Sequence, residues 1–185
     1  MPFIKVINED EASGELKKVY NQITSARGKL SNIMKIHSLM PETMIKHLEL
    51  YLSIMFSKTS LTREEKEILA VVVSKINECD YCIRHHSEAL NHYWKAAERL
   101  KNFIACLDDP VFSQKFKLTI NHAIKLTNDP ASVKKSEIDE LKKAGWTDED
   151  ILTINLIVSY FNFVNRIALG LGVEFSEDEI KGYKY

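Results

Sequence analysis

Cys79 and Cys82 stand three residues apart, and His86 and Leu90 follow at two further spacings of four. At ~100° per residue these positions fall on one narrow stripe of a helix. On such a stripe two thiols approach closely enough to pair as a disulfide, and an imidazole lies one turn beyond the second. A cysteine pair at a helix start also meets unpaired N–H groups and the positive end of the helix dipole, which favour thiolate over thiol. The imidazole can take the thiol proton. Thiolate is the nucleophilic form, so the constellation suits peroxide reduction or thiol-disulfide exchange. Two other readings use the same residues: a chance pair of small buried side chains, and a zinc site. Cys79, Cys82 and His86 supply three zinc ligands, but no second Cys-x-x-Cys and no obvious fourth ligand follows, and His85 or His92 would serve only with awkward geometry. A c-type haem requires histidine directly after the second cysteine, where Ile83 stands.

Glu67 is the other polar position of interest. It lies in the apolar run Ile68, Leu69, Val71, Val72, Val73, Ile76 and shares a stripe with Ala70, Val71 and Ser74. A buried carboxylate there would have a raised pKa and could relay protons to a thiol. Spacing alone favours the plainer reading, a solvated first-turn glutamate beside Glu64 and Glu65. Tyr81, between the cysteines, offers a hydroxyl to a substrate or packs. Cys106, among Phe103, Ile104 and Leu107, reads as a small core residue. His37, His47, His92 and His122 show no partner pattern, and His85 falls off the face shared by Cys82 and His86.

The elements that must position these residues are helices. No glycine occurs between Gly28 and Gly145, and no alternating strand or Asn-Gly or Asp-Gly hairpin is present. The spacing predicts a helix over 11–26, a second starting at Pro41, and a third opened by the capping box Thr62-Arg63-Glu64-Glu65 and running to Ile76. Helices are further predicted from Cys79 to about Leu107, from Pro110, over 136–144, and from Thr147 to about Gly170. A shift of 85 residues lays Leu61-Thr62 on Trp146-Thr147, Val72-Val73-Ser74 on Ile157-Val158-Ser159, and Asn77 on Asn162. One all-α domain, 1–185, built as a duplicated helical unit with halves 40–107 and 110–175, follows from this self-similarity. Cys79, Cys82 and His86 then align with Val164, Ile167 and Leu171. The first half carries the chemistry and the second is scaffold.

A length of 185 residues suits one such domain, and 45% hydrophobic with 28% charged residues is the composition of a globular protein. A net charge of -1 gives no reason to expect nucleic acid or an anionic membrane as partner. The start Met1-Pro2-Phe3-Ile4-Lys5-Val6 lacks the basic and apolar regions of a secretory signal. The most apolar stretch, Ile151 to Leu171, is interrupted by Asn155, Asn162, Asn165 and Arg166, short of the ~20 apolar residues of a bilayer span. Three cysteines are too few and too odd in number for a disulfide scaffold. These features point to the cytoplasm, where a Cys-x-x-Cys reads as redox or metal chemistry.

A glutamate twelve residues before Cys-x-Tyr-Cys-x-x-x-His, here Glu67 and then Cys79 to His86, resembles the alkylhydroperoxidase D-like, peroxidase-related group of the carboxymuconolactone decarboxylase superfamily. Asn77 and the tail Tyr160-Phe161-Asn162-Phe163-Val164-Asn165-Arg166 are also similar to that group, over roughly residues 40 to 175. The resemblance implies an all-α fold assembling into homo-oligomers (dimers, trimers or hexamers). It further implies hydroperoxide reduction through the cysteine pair, with Glu67 and His86 as proton relay and no bound cofactor. An external dithiol, lipoyl or thioredoxin-like, would restore the thiols. It turns Glu67 from a solvated residue into a functional one. Helix-start position favours Cys79 as the attacking sulfur and the i,i+4 relation to His86 favours Cys82, toward which the reading leans. Tyr81 stands where the best-studied branch has histidine, which leaves substrate and reductant open. A redox sensor or thiol exchanger remains as a second reading of the same pair.

Overall fold

The structure is a computed structural model and describes residues 1–182. Among these, ten α-helices and one 3₁₀ turn occur without a strand. The helices are α1 (Gly14–Arg27), α2 (Asn32–Lys35), α3 (Pro41–Met55), α4 (Arg63–Ile76), α5 (Asp80–Trp94), α6 (Ala97–Cys106), α7 (Gln114–Asn128), α8 (Lys135–Lys143), α9 (Asp148–Gly170) and α10 (Glu177–Ile180). The all-α expectation holds. Two compact units result among the described residues: 1–53 with 166–182, and 54–165.

In the first unit Leu16, Val19, Tyr20 and Ile23 line one face of α1 at helical spacing and pack with Leu30, Met34, Met44 and Leu48. This unit also holds a pair that spacing did not suggest. His47 Nδ1 lies 3.3 Å from His37 Nε2, and His37 Nδ1 lies 3.0 Å from the Ile33 carbonyl. Burial, reinforced by the neighbouring His37, pushes the His47 imidazole down to about 3 from an ordinary 6.5. The unfolded chain therefore takes up a proton near pH 6.5 that the folded chain refuses until about pH 3. Stability from this site is complete above pH 6.5 and is lost as pH falls through that window. Wild-type protein should lose about 3 kcal/mol between pH 7 and pH 4 from His47. His47→Gln should remove most of that loss, read as urea midpoints at the two pH values.

The second unit is organised around α4, whose residues Ile68 to Val73 are all at most 1% exposed. A helix apolar on every side must be central, and α5, α6 and α7 pack around it. The capping box forms as expected: Thr62 Oγ1 accepts from Glu65 N at 3.2 Å, and Glu65 Oε2 accepts from Thr62 N at 2.8 Å. The corresponding start of α9 is closed likewise by Thr147 and Asp150. Asn77 Nδ2 donates to Asn162 Oδ1 at 3.0 Å, joining two positions that the 85-residue shift equates. The two asparagines differ in setting: the chain turns at Glu78, just after Asn77, while α9 continues through Asn162.

Two boundaries differ from expectation. The helix predicted from Cys79 to Leu107 is two, because Lys95 takes a left-handed conformation (φ 50°) after α5. Neither glycine nor proline marks that break. Its backbone cost of ~1–2 kcal/mol is offset where Trp94 packs edge-on against Phe103, ring centroids 5.4 Å apart. The helix expected from Pro110 begins only at Gln114, where Ser113 accepts from Phe116 N. Helix α9 is, among the described residues, the one helix long and apolar enough to span a membrane. It buries Ile154, Ile157, Val158 and Phe161 in the protein's own core, together with Asn165.

Candidate active site

The site grows from a strained turn between α4 and α5. Glu78 adopts φ 54°, a conformation that non-glycine residues avoid. The turn is held by hydrogen bonds from Glu78 N to Lys75 O (3.1 Å) and from Cys79 N to Ser74 O (2.9 Å). It delivers Cys79 to the N-cap of α5 and Cys82 to the third position of the helix. At these two positions an N-cap side chain normally meets the backbone N–H of the first turn. The Cys82 N–H is accordingly turned toward the Cys79 sulfur, without closing a full side-chain cap.

Both thiols are reduced and 1% exposed. They hydrogen-bond each other, and their titrations move apart. The bond from the Cys82 thiol holds Cys79 below the ordinary thiol range despite burial. The same bond, followed by burial and the Cys79 charge, pushes Cys82 well up, against a smaller opposing bond from Asn165. Of the two sulfurs, Cys79 is thus the more readily ionised.

Glu67 is fully buried, but its carboxyl departs from the expected direction. Burial pushes it up, yet His86 and Arg63 outweigh burial and hold it below the usual carboxylate range. Arg63 Nε and Nη2 reach Oε1 at 2.9 and 2.5 Å, and His86 Nδ1 meets Oε2 at 2.7 Å. An ionised carboxylate only accepts hydrogen bonds, so His86 Nδ1 carries the proton. In the neutral ring Nε2 is then the basic nitrogen. Glu67 orients the histidine rather than storing the proton itself. The His86 ring is further fixed edge-on against Phe161, centroids 4.5 Å apart.

Arg63 was not singled out by sequence, although its i,i+4 relation to Glu67 is a signal for an ion pair. It is itself clamped: Nη1 donates to Met55 O at 3.1 Å, and the guanidinium lies 4.0 Å over the Phe56 ring. The neighbouring Lys66, 1% exposed, donates to Ile54 O, Ser57 O and Ser57 Oγ at 2.9–3.1 Å. Tyr81 is buried and stacks on His85, centroids 4.2 Å apart. His85 Nδ1 lies 2.8 Å from the Tyr81 carbonyl. Among the described residues no direct hydrogen bond joins His86 to either sulfur, and no three His, Cys, Asp or Glu side chains converge as metal ligands. Cys106 is exposed rather than buried in the core, its thiol donating to Asn102 O and Asp108 O.

The site is a reduced dithiol at a helix start, flanked by a buried Arg63-Glu67-His86 chain, in an all-helical fold. Residues 41–117, which contain this whole group, match the carboxymuconolactone decarboxylase family. The chain is similar to the uncharacterised protein YdfG of Bacillus subtilis, 22% identical over 115 residues, or 62% of this chain and 78% of that one. Its fold matches the alkylhydroperoxidase AhpD core of an uncharacterised peroxidase-related protein from Ralstonia eutropha with a TM-score of 0.84. That match is 20% identical and covers 97% of this chain and 94% of the other. The debrominase Bmp8 shares the fold at a TM-score of 0.76 and 19% identity, covering 95% and 96%. The family match thus spans 41–117, and over nearly the whole chain the fold is that of the alkylhydroperoxidase AhpD core. Since that fold also carries a debrominase, the reaction must be argued from the site.

Proposed function

We propose that this chain reduces alkyl or hydrogen peroxides through a Cys79/Cys82 dithiol-disulfide cycle, as part of antioxidant defence. The observation that carries the reading is the buried thiol pair at the start of α5, with His86 of the same helix oriented by Glu67. His86 Nε2, through one intervening water or the substrate oxygen, takes the thiol proton. The Cys79 thiolate attacks one peroxide oxygen and the O–O bond breaks. The alkoxide leaves with the proton as an alcohol, and Cys79 becomes a sulfenic acid. Cys82 then attacks that sulfur, forming the disulfide and releasing water. The sum is dithiol plus ROOH giving disulfide, ROH and H₂O. The ring of Tyr81, stacked on His85, forms a wall beside the incoming substrate.

Two sulfurs so deeply buried suit a small peroxide better than a protein disulfide, which favours peroxidase turnover over a thiol exchanger. The same burial favours a slender external dithiol of the lipoyl kind over a thioredoxin-like carrier as reductant. The proposal includes action in the cytoplasm as a homo-oligomer, without a resident cofactor.

Purified, reduced protein should consume cumene hydroperoxide and lose two thiols per chain. Undiminished turnover in the Cys79→Ser, Cys82→Ser double variant would overturn the reading. Stoichiometric metal in the purified protein, with few titratable thiols, would favour the zinc module instead.

A further inference from the structure

Helix α9 carries large apolar side chains on the face turned away from the protein's core. Leu152, Leu156 and Phe163 are 59%, 44% and 46% exposed, while the other side of the helix buries Ile154, Ile157 and Phe161. With exposed Glu149, Ser159 and Arg166 they form one stripe, whose steps alternate between three and four residues. That is the heptad spacing by which one helix seats against another. The order along the stripe specifies a partner. Counted outward from the point between Ile157 and Val158, Leu156 is matched by Ser159, Leu152 by Phe163, and Glu149 by Arg166. Large is matched with small at the centre, apolar with apolar a turn further out, and acid with base at the ends. The neighbouring Asp148 is already held by Lys142 Nζ at 2.6 Å, whereas among the described residues the Glu149 carboxylate enters no ion pair. A guanidinium offers five N–H donors, so exposed Arg166 can take a further carboxylate alongside its contacts within the chain.

We propose that α9 is the contact between two copies of this chain, its stripe from Glu149 to Arg166 packing antiparallel on the same stripe of a second copy about a two-fold axis beside Ile157 and Val158. A two-fold axis across a helix reverses its direction, so each residue meets the one equally far beyond the axis, and every contact occurs twice. Leu156 then faces Ser159 of the second copy, Leu152 faces Phe163, and Glu149 faces Arg166. The small Ser159 leaves room for Leu156 where the helices come closest, and the three-four spacing sets the pair at about +20°. A parallel pair would instead set Glu149 on Glu149 and Arg166 on Arg166, so the charges select the direction. A net charge of -1 adds little repulsion between copies. The inference rests on the homo-oligomer proposed above, to which it gives a surface, and needs nothing of the peroxide cycle. The opposite side of α9 holds Phe161 edge-on against His86, so the contact braces the helix that backs the site.

The test is a charge swap, read as mass by light scattering on the full chain at tens of micromolar and low salt. Glu149→Arg and Arg166→Glu each set like charges opposite one another at both ends of the contact. Either should raise the dissociation constant about ten- to a hundredfold and halve the mass, whether the wild type is a dimer or a larger assembly of such pairs. Mixed together, the two variants should regain the wild-type mass. One then carries bases at both ends and the other acids, so every end pair is opposite in sign. Leu156→Asp, at the centre, should also halve the mass, and neither charge variant should rescue it. These side chains are exposed, so circular dichroism of the variants should match the wild type. A mixture that stays at half mass overturns the antiparallel contact. An oligomer indifferent to all three substitutions overturns it while leaving the homo-oligomer standing on another face, and a monomeric wild type overturns both. A monomer that floats with phosphatidylglycerol vesicles would assign the stripe to a membrane surface, and that too overturns the contact. Should a variant fail to fold, wild-type methyl resonances of Leu152 and Leu156 decide: they are expected to shift on dilution as the mass falls, and resonances that stay fixed overturn the proposal.

Discussion

Glu67→Gln is expected to cost peroxide turnover about 10²–10⁴-fold while leaving the protein folded, and Glu67→Leu to destabilise it by about 3–5 kcal/mol. The two numbers have different origins. Glutamine keeps the shape and still offers Oε1 to Arg63, but its amide nitrogen then faces His86. Two donors cannot meet, so His86 must move its proton from Nδ1 to Nε2, and the basic nitrogen is lost where the thiol needs it. Leucine removes the acceptor altogether and leaves the Arg63 guanidinium, whose side chain is 16% exposed, without its counter-ion. Acid behaviour supplies an independent reading of the same residue. The Glu67 carboxyl lies below its ordinary 4.5 in the folded state, so its contribution to stability is complete above pH 4.5. That contribution fades as pH falls from 4.5 through the folded value. Glu67→Gln should abolish this acid-dependent part, measured as the difference in urea midpoint between pH 5 and pH 3. Full peroxide turnover in a folded Glu67→Gln protein would reduce the glutamate to a structural role.

The contrast between what was and was not legible follows the range of the interactions involved. Capping boxes, helix spacing and the i,i+4 step from Cys82 to His86 are local, so Thr62, Thr147 and the dithiol stripe could be placed from sequence. The stripe differs in one respect: Cys79 sits outside the helix as its N-cap, which is what brings the Cys82 N–H toward it. The Lys95 break carries no local signal because a buried Trp94–Phe103 contact, not a glycine, compensates the left-handed residue. The direction of the Glu67 carboxyl was missed for a related reason. Burial alone raises a carboxyl, and only the convergence of Arg63 and His86 on the same group reverses that. Asn165 meets Ser74 from 91 residues away, and nothing in the tail motif announces that partner.

Cys79→Ser and Cys82→Ser should therefore fail differently, and the difference decides which sulfur attacks. Sequence spacing leaned to Cys82, because His86 stands one turn beyond it. The site moves the proposal to Cys79, where the N-cap position, the Cys82 N–H and the Cys82 thiol all favour the anion. Cys82→Ser retains a hydroxyl that can still donate toward the Cys79 sulfur. It should consume one equivalent of peroxide per chain and stop, with a sulfenic acid on Cys79 that dimedone traps and mass spectrometry locates. Cys79→Ser removes the ionised sulfur and leaves a buried thiol with no nearby anion to replace. Its reaction with peroxide should be slower than that of Cys82→Ser, since a thiol reacts through its thiolate fraction and burial still opposes ionisation of Cys82. Sustained turnover should vanish in both, because neither can close a disulfide. A sulfenic acid formed on Cys82 at near wild-type rate in Cys79→Ser would return the attack to Cys82.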